Sequence, residues 1–381
     1  MPKNSKTHVC IIGCGFAGLR CAEKLGKHHA HLDITVIDRK ATSDFLPLIP
    51  DIVGRNFPPP TLSVPIVLLA RQHHFHFIRA EVSGIDREQK QVVTDKQRVA
   101  YDYLVLATGV RTNFYGNNEL EKSSLTLRSS EDARRISRML ERRAWKNIFV
   151  CGGGYTGIEI ATHARRRLKR LKRQDPITVI EKADTILGKL PIWMRDYTEE
   201  NLRRLKIPVT TGHTVSEYRK QAVTLDNGSQ FSDSLLIWVA GVRTPDFIQD
   251  MDVDKEKGRI VVGADLRMND HIFAIGDCAA FKPHNQPLRM LALFAVEQGL
   301  CTAANIIRMI KGKPTKPYNP WDPGFVVPMA NNRSCGTIYG RGFRGPLVTL
   351  SHYLMSAALS HGFSRKAGVM KHALKQWRMP K

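Results

Sequence analysis

The residues best suited to chemistry are two glycine-rich turns 139 positions apart, each answered by an acid further along the chain. The first is Val9-Cys-Ile-Ile-Gly13-Cys-Gly15-Phe-Ala-Gly18 and the second Phe149-Val-Cys-Gly152-Gly-Gly154-Tyr-Thr-Gly157. The spacing suits the pyrophosphate of a dinucleotide. One glycine allows the tight turn, the next lets the backbone approach the phosphates, and the third lets helix and strand pack closely. The phosphates would sit on backbone N–H groups at the N-terminus of a helix, where the dipole favours negative charge. Asp38 and Glu181 lie 20 and 24 residues beyond the third glycines, at the ends of Ile34-Thr-Val-Ile-Asp38 and Ile177-Thr-Val-Ile-Glu181. An acid there accepts hydrogen bonds from the adenosine ribose. At Glu181 the carboxylate would also repel a 2′-phosphate, so the second turn should prefer NADH to NADPH. Two such constellations imply two nucleotides brought face to face.

The elements that must position these residues repeat. Each turn follows an apolar run that reads as a buried strand and opens a stretch that reads as a helix. Leu104-Val-Leu-Ala-Thr-Gly109 follows the first turn, and Leu235-Leu-Ile-Trp-Val-Ala-Gly241 follows the second at comparable distance. The expected fold is α/β, with two Rossmann-like dinucleotide-binding domains, the second inserted in the first, and a C-terminal membrane-associating segment. The boundaries read as 1–112 and 262–320 for the outer domain, 113–261 for the inserted one and 321–381 for the tail. Between the units of the pattern, residues 45–60 are rich in proline and read as a loop. Further strands are expected at Phe75–Ile78, Val82–Ile85, Gln91–Thr94 and Tyr103–Gly109, and an apolar helix at about 289–311.

Composition narrows the classes. The chain has 381 residues and a net charge of +23. That length can hold two or three domains with real cores. No stretch reads as the roughly 20 apolar residues of a membrane span. Met1-Pro-Lys-Asn-Ser-Lys-Thr runs directly into the first strand, which leaves no room for a signal peptide. The seven cysteines form no Cys-x-x-Cys, disulfide framework or zinc pattern. The histidines at 28, 29, 31, 73, 74 and 76 read as solvated, and no metal is expected. The basic run Arg165–Arg173 reads as a solvated helix face in preference to a nucleic-acid surface. After Asp322 there is no acid at all against nine Lys and Arg, so the tail seeks an anionic surface.

These motifs together resemble the two-dinucleotide-binding-domain flavoproteins of the pyridine nucleotide–disulfide reductase superfamily, and within it type II NADH dehydrogenases, the single-subunit NADH:quinone oxidoreductases. The resemblance rests on Gly13–Gly18, Ala107-Thr108-Gly109, Gly152–Glu159, Trp238–Gly241 and Ala274-Ile-Gly-Asp277. It implies FAD in the first unit, on Gly13, Gly15, Phe16, Ala17, Gly18, Asp38, Arg39, Val82, Ala107, Thr108, Gly109 and Asp277, the last holding a ribityl hydroxyl. NADH, as substrate, would take Gly152, Gly154, Tyr155, Thr156, Gly157, Glu181 and Gly241. Glu159 would sit where nicotinamide and flavin meet. A quinone would take the electrons, without proton pumping, and a helix starting near Pro287–Arg289 would point its N-terminus at the reduced flavin.

In the tail, Val369, Met370, Ala373, Leu374 and Trp377 recur at helical spacing against Lys371, His372, Lys375, Gln376 and Arg378, after an apolar patch of Tyr353, Leu354, Ala357, Ala358 and Leu359. That pattern fits an interfacial helix on anionic lipid. It would place the protein peripherally on the cytoplasmic face of the cell membrane. A helix docked on the protein's own core or on a second subunit, as in a homodimer, fits the same spacing. One departure from the family pattern concerns the acceptor: Ala292-Leu-Phe-Ala295-Val-Glu297-Gln-Gly299 carries Leu293 and Glu297 where glutamines line the quinone access in type II enzymes. Glu297 reads as a proton relay or as a structural acid. Two rival readings remain. A sulfide:quinone oxidoreductase would need paired cysteines, for which Cys151 and Cys335 are the candidates. A nucleic-acid-binding flavoprotein resembling apoptosis-inducing factor would use the basic charge, although no nucleic-acid motif is present.

Overall fold

A computed structural model describes residues 6–283, 286–360 and 362–378, with the side chains of 363–364 and 376–378 left aside. The chain divides into two compact units, each assembled from three segments. The first comprises residues 1–43, 64–111 and 243–321, the second 44–63, 112–242 and 322–381. Three stretches fall differently from the sequence boundaries. Residues 44–63 and the tail join the second unit, and 243–261 join the first.

The first unit is built on a parallel five-stranded sheet in the order Ile272–Ala274, Tyr103–Leu106, Thr7–Ile12, Leu32–Asp38, His76–Arg79. Its inner strands are nearly continuous apolar runs because both faces are covered, as parallel sheets require. Val9, Ile11, Ile34, Val36 and Val105 are fully or almost fully enclosed. The helix Phe16–Gly26 packs along the helix Ala292–Ile310, and Gly299 provides the closest approach. A β-carbon there would run into the Ala17 carbonyl oxygen. By length and composition the Ala292–Ile310 helix could cross a membrane, which the sequence reading did not anticipate. Yet Phe294, Ala295, Gln298, Thr302, Ala303 and Ile306 are buried in the first unit, so it serves as a core helix. It begins at Ala292, not near Pro287–Arg289: Leu291 is its N-cap and adopts an extended conformation.

The second unit repeats the plan with four parallel strands in the order Val209–Thr211, Ile177–Glu181, Asn147–Cys151, Ser234–Trp238. An antiparallel three-stranded sheet, Val215–Arg219, Ala222–Leu225 and Gln230–Phe231, packs onto it around Tyr218 and Val223. The proline-rich stretch is not a loop. It forms the 3-10 turn Leu46–Leu48, the helix Ile49–Arg55 and the short helix Pro59–Leu62. Its prolines stand in first turns, where a missing N–H costs nothing and a fixed φ favours helix. Asn56, left-handed at φ 54°, ends the helix Ile49–Arg55.

The tail contributes the antiparallel strands Gly324–Val327, Cys335–Ile338 and Arg341–Arg344, then the helices Pro346–Leu359 and Phe363–Arg378. The expected apolar stripe is divided between inside and outside. Val369 and Ala373 are buried within the unit, but so is His372 from the polar face, while Leu374 is exposed. Trp377 lies outside the described side chains. In the preceding helix Tyr353 and Ala357 face inward, whereas Leu354 is exposed.

The helix contact in the first unit is testable. Gly299→Ala should lower stability by about 1–3 kcal/mol, the usual cost of overpacking a close-packed site. Gly84→Ala, with nothing within 4 Å of its added carbon, should be near neutral. Thermal unfolding of the two variants checks this.

Candidate nucleotide sites and the buried cluster beside Glu159

The two glycine turns are built alike. Gly13 has φ +103° and Gly152 φ +116°, a backbone region that disfavours side chains. A β-carbon on Gly152 would also stand 2.9 Å from the Ala240 nitrogen. At Gly18 and Gly157 an added carbon would strike the Gly13 and Gly152 carbonyl oxygens respectively. Gly15 and Gly154 face open space, which leaves the backbone accessible. Each is the N-cap of the following helix, with no side-chain cap and no acid in the first turn. No capping side chain or first-turn acid opposes an anion at the N-termini of Phe16–Gly26 and Tyr155–Arg170, as a phosphate cradle needs.

The acids hold these turns in shape. Asp38 accepts from the Cys14 N–H at 2.8 Å and the Lys40 N–H at 2.9 Å. Glu181 accepts from the Gly153 N–H at 2.6 Å and the Ala183 N–H at 2.9 Å. Each carboxylate thus stands beside its own glycine turn.

In the first unit Ala107 and Val82 are buried, and Thr108 and Gly109 (φ +62°) follow the strand Tyr103–Leu106. Gly276, at φ +70°, approaches Ala17, and its N–H donates to Gln298 Oε1 at 2.6 Å. Asp277 occupies the 3-10 turn that follows. Arg39 is exposed and lies 3.9 Å from Glu81. Glu297 is committed locally: it accepts from Tyr318 Oη at 2.8 Å and from the Trp321 N–H at 3.4 Å. These bonds tie its carboxylate to residues 318–321.

In the second unit Tyr155 and Thr156 open the helix, and Gly241 (φ +71°) lies under the ring of Tyr115. Tyr115 carried no sequence motif. The basic run is less solvated than expected. Arg165 donates to the Asp175 and Lys206 carbonyls, Arg166 to that of Ala330, and Arg173 to that of Leu140. Lys169, Arg170 and Lys172 remain exposed.

Glu159 is only 8% exposed. Its Oε1 has no hydrogen-bond partner among the described residues. Burial, and secondarily the charge of Asp51, hold its carboxyl well above the usual range. Asp51 comes from the helix Ile49–Arg55, which the sequence reading treated as loop. The carboxylates of Asp51 and Glu159 and the imidazole of His163 lie within 4.8 Å of one another. A cation is already built in, since Arg55 Nε is 3.4 Å from Asp51. Arg55 is held there by the Ala330 carbonyl at 3.0 Å and Asn332 Oδ1 at 2.8 Å. Tyr353 donates a hydrogen bond to Asp51, and His372 Nε2 lies 3.9 Å from the same oxygen, its ring tilted against that of Phe57. Burial pushes both candidate thiols, Cys151 and Cys335, up to about 11, which withholds the thiolate that sulfide chemistry needs.

Two parallel sheets, each carrying an acid-clamped glycine turn at a helix N-terminus, give the chain two α/β units of like plan. The chain belongs to the pyridine nucleotide–disulphide oxidoreductase family, whose sequence pattern it matches over residues 7–299. It is similar to the type II NADH:quinone oxidoreductase of Staphylococcus saprophyticus, 26% identical over 88% of this chain and 91% of that protein. The protein of the same name from Staphylococcus epidermidis is 28% identical over the same shares. In fold it resembles NDH2 from Plasmodium falciparum in complex with NADH, at TM-score 0.88 and 17% identity over 98% of this chain and 99% of that one. The sulfide:quinone oxidoreductase of Aquifex aeolicus shares the fold at TM-score 0.78 and 18% identity, covering 95% and 92%.

The buried imidazoles give the tail a pH dependence. Burial, then Arg55, lowers His372 to about 4, against an ordinary value of 6.5. A depressed folded-state value contributes stability above the unfolded value that is lost as pH falls through the folded one. Asp51 and Glu159, both raised, act in the opposite direction. The difference between wild type and His372→Leu isolates the imidazole. Wild type should lose melting temperature relative to the variant between pH 6.5 and 4, and thermal scans across that range check it.

Proposed function

We propose that this protein is an FAD-dependent NADH:quinone oxidoreductase of the type II kind, passing two electrons to a membrane quinone without proton pumping. The observation that carries the reading is the doubled acid-clamped glycine turn. One such turn serves a single nucleotide, whereas a donor and a resident cofactor need two. The names of the similar proteins support NADH as donor and quinone as acceptor.

The first unit fits FAD. Gly13 and Gly18 clear a cradle that any β-carbon would fill, Gly15 leaves it open, and no acid opposes the phosphates. Asp38 would take the adenosine ribose and Asp277 a ribityl hydroxyl. Phe16, Ala17, Arg39, Val82, Ala107, Thr108 and Gly109 would complete the lining. Bound there, FAD would supply the capacity to accept a hydride and release electrons singly or in pairs.

The second unit fits NADH by the same criteria, with Gly152, Gly154, Tyr155, Thr156 and Gly157 at the pyrophosphate and Gly241 beyond. Glu181 would hold the adenosine ribose and exclude a 2′-phosphate. Glu159, buried and protonated, would present a neutral hydrogen-bonding group to the nicotinamide end. Reduction of a quinone consumes protons, so a carboxyl whose burial favours the protonated form suits the site. The exposed apolar side chains Leu347, Leu354 and Leu374, on an acid-free tail, support peripheral attachment to an anionic membrane surface.

Stopped-flow mixing of the yellow protein with NADH should bleach the flavin, and a membrane quinone should restore it. Failure of every quinone tested would overturn the acceptor. Bleaching by sulfide would favour the rival oxidoreductase. Glu181→Gln should lower the preference for NADH over NADPH in kcat/KM by about tenfold, equivalent to ~1.4 kcal/mol. An unchanged ratio would remove Glu181 from the selection of nucleotide.

A further inference from the structure

The buried cluster of the second unit holds two carboxyls that cannot both be charged. Asp51 and Glu159 lie within 4.8 Å of one another and are 2% and 8% exposed. Like charges this close in a dry site leave one member protonated, and the pair titrates as a unit. Which member keeps the proton is decided by what surrounds each.

Asp51 has the partners that suit an anion. Tyr353 Oη donates to Oδ1, and the Arg55 guanidinium stands with Nε 3.4 Å away. Glu159 Oε1 has none among the described residues. We propose that Tyr353 is a positioning residue: by donating to Asp51 it keeps that carboxyl ionised and so leaves the proton on Glu159. This rests on the reading that Glu159 works at the nicotinamide.

Four elements bring charged or titratable groups to the pair, whereas the charged residues of Ser130–Arg142, which also packs on Ile49–Arg55 and Tyr155–Arg170, do not act on either carboxyl. Ile49–Arg55 brings Arg55. Tyr155–Arg170 brings His163 and Arg166. Pro346–Leu359 brings His352 and Tyr353, and Phe363–Arg378 brings His372. The histidines are held neutral: desolvation and Arg55 keep His163 well below its ordinary value, and His352 and His372 near 4. Arg55 is fixed by the Ala330 carbonyl and Asn332, and Arg166 by the Ala330 carbonyl. Tyr353 is therefore the group whose removal changes the hydrogen bonding of Asp51 without changing a charge. Its pKa lies far above ordinary, through burial and then the Asp51 charge, so it donates throughout the working range. A residue near the end of the chain thereby sets the protonation of a group on the helix that carries the second glycine turn.

The test uses the full-length, FAD-loaded protein and two readouts. One is the pH profile of flavin bleaching by NADH. The other, recorded without NADH, is the infrared carbonyl band of protonated carboxyls. Glu159→Gln identifies the limb and the band that belong to Glu159. In Tyr353→Phe the proton should move to Asp51. The Glu159 limb should shift about one pH unit lower, and its band should give way to a second that Asp51→Asn abolishes. Asp51→Asn alone should shift the limb the same way. In that background Tyr353→Phe should add nothing, since its route is gone.

A wild-type profile and band in Tyr353→Phe would overturn the inference while leaving Glu159 in place. So would a Tyr353→Phe shift that persists undiminished in the Asp51→Asn background. An unchanged profile in Glu159→Gln would sink the reading of Glu159 itself, and the inference with it. If Tyr353→Phe does not fold, Asp51→Asn still decides: no shift of the Glu159 limb there would show that the two carboxyls are not coupled.

Discussion

The structure depends on a carboxylate gripping a backbone N–H inside a tight glycine turn. Asp38 holds the Cys14 N–H and Glu181 the Gly153 N–H, each from the end of the neighbouring parallel strand. Those bonds fix the turn against the sheet and place a negative charge beside it. They also demand that the strand carrying the acid lie directly next to the strand that leads into the glycines. Both sheets meet that demand, with Thr7–Ile12 beside Leu32–Asp38 and Asn147–Cys151 beside Ile177–Glu181. The glycines follow from the same constraint. With the turn pinned, any β-carbon at Gly18 or Gly157 meets the carbonyl of the first glycine.

The second unit adds a constraint of another kind. The helix Tyr155–Arg170 opens the glycine turn at one end, and on its buried side Glu159 and His163 need partners. Ile49–Arg55 and the two C-terminal helices bring Asp51, Arg55, Tyr353 and His372 to that side, but leave Glu159 Oε1 without a hydrogen-bond partner among the described residues. A buried ionic cluster of this sort contributes little net stability, because desolvation offsets the Coulombic gain. Its physical effect is to fix which groups are charged. Arg55 and Tyr353 make Asp51 the anion, and the remaining carboxyl stays neutral. Some basic residues act similarly as internal scaffolding: Arg165, Arg166 and Arg173 donate to backbone carbonyls.

The parallel sheets, the glycine turns and their acids were legible in the sequence because each depends on local spacing: an apolar strand, glycines at fixed offsets, an acid one strand later. The helix Ala292–Ile310 was legible in its apolar run, within a few residues of its ends. Residues 45–60 read as a loop because prolines punctuate most chains, yet here Pro47, Pro50, Pro59 and Pro60 occupy first turns of helices. In the tail, helical spacing alone did not say which apolar residues face inward: Val369 and Ala373 are buried in the second unit, while Leu374 is exposed.

The sequence by itself therefore determined the two glycine turns, the acids that clamp them and the α/β class, since those follow from backbone geometry repeated over short distances. The tertiary structure decided where the polar residues without a motif would meet. Asp51, Glu159, Tyr353 and His372 are scattered over more than three hundred positions, and no local pattern couples them. They meet because residues 44–63 and 322–381 fold into the unit that carries Glu159. Glu297 shows the converse. Its place in a family motif marked it out, and the partners of its carboxylate, Tyr318 and the Trp321 N–H, come from the segment after the helix, which no motif announced. Burial and partners, not residue type, set the role of each acid.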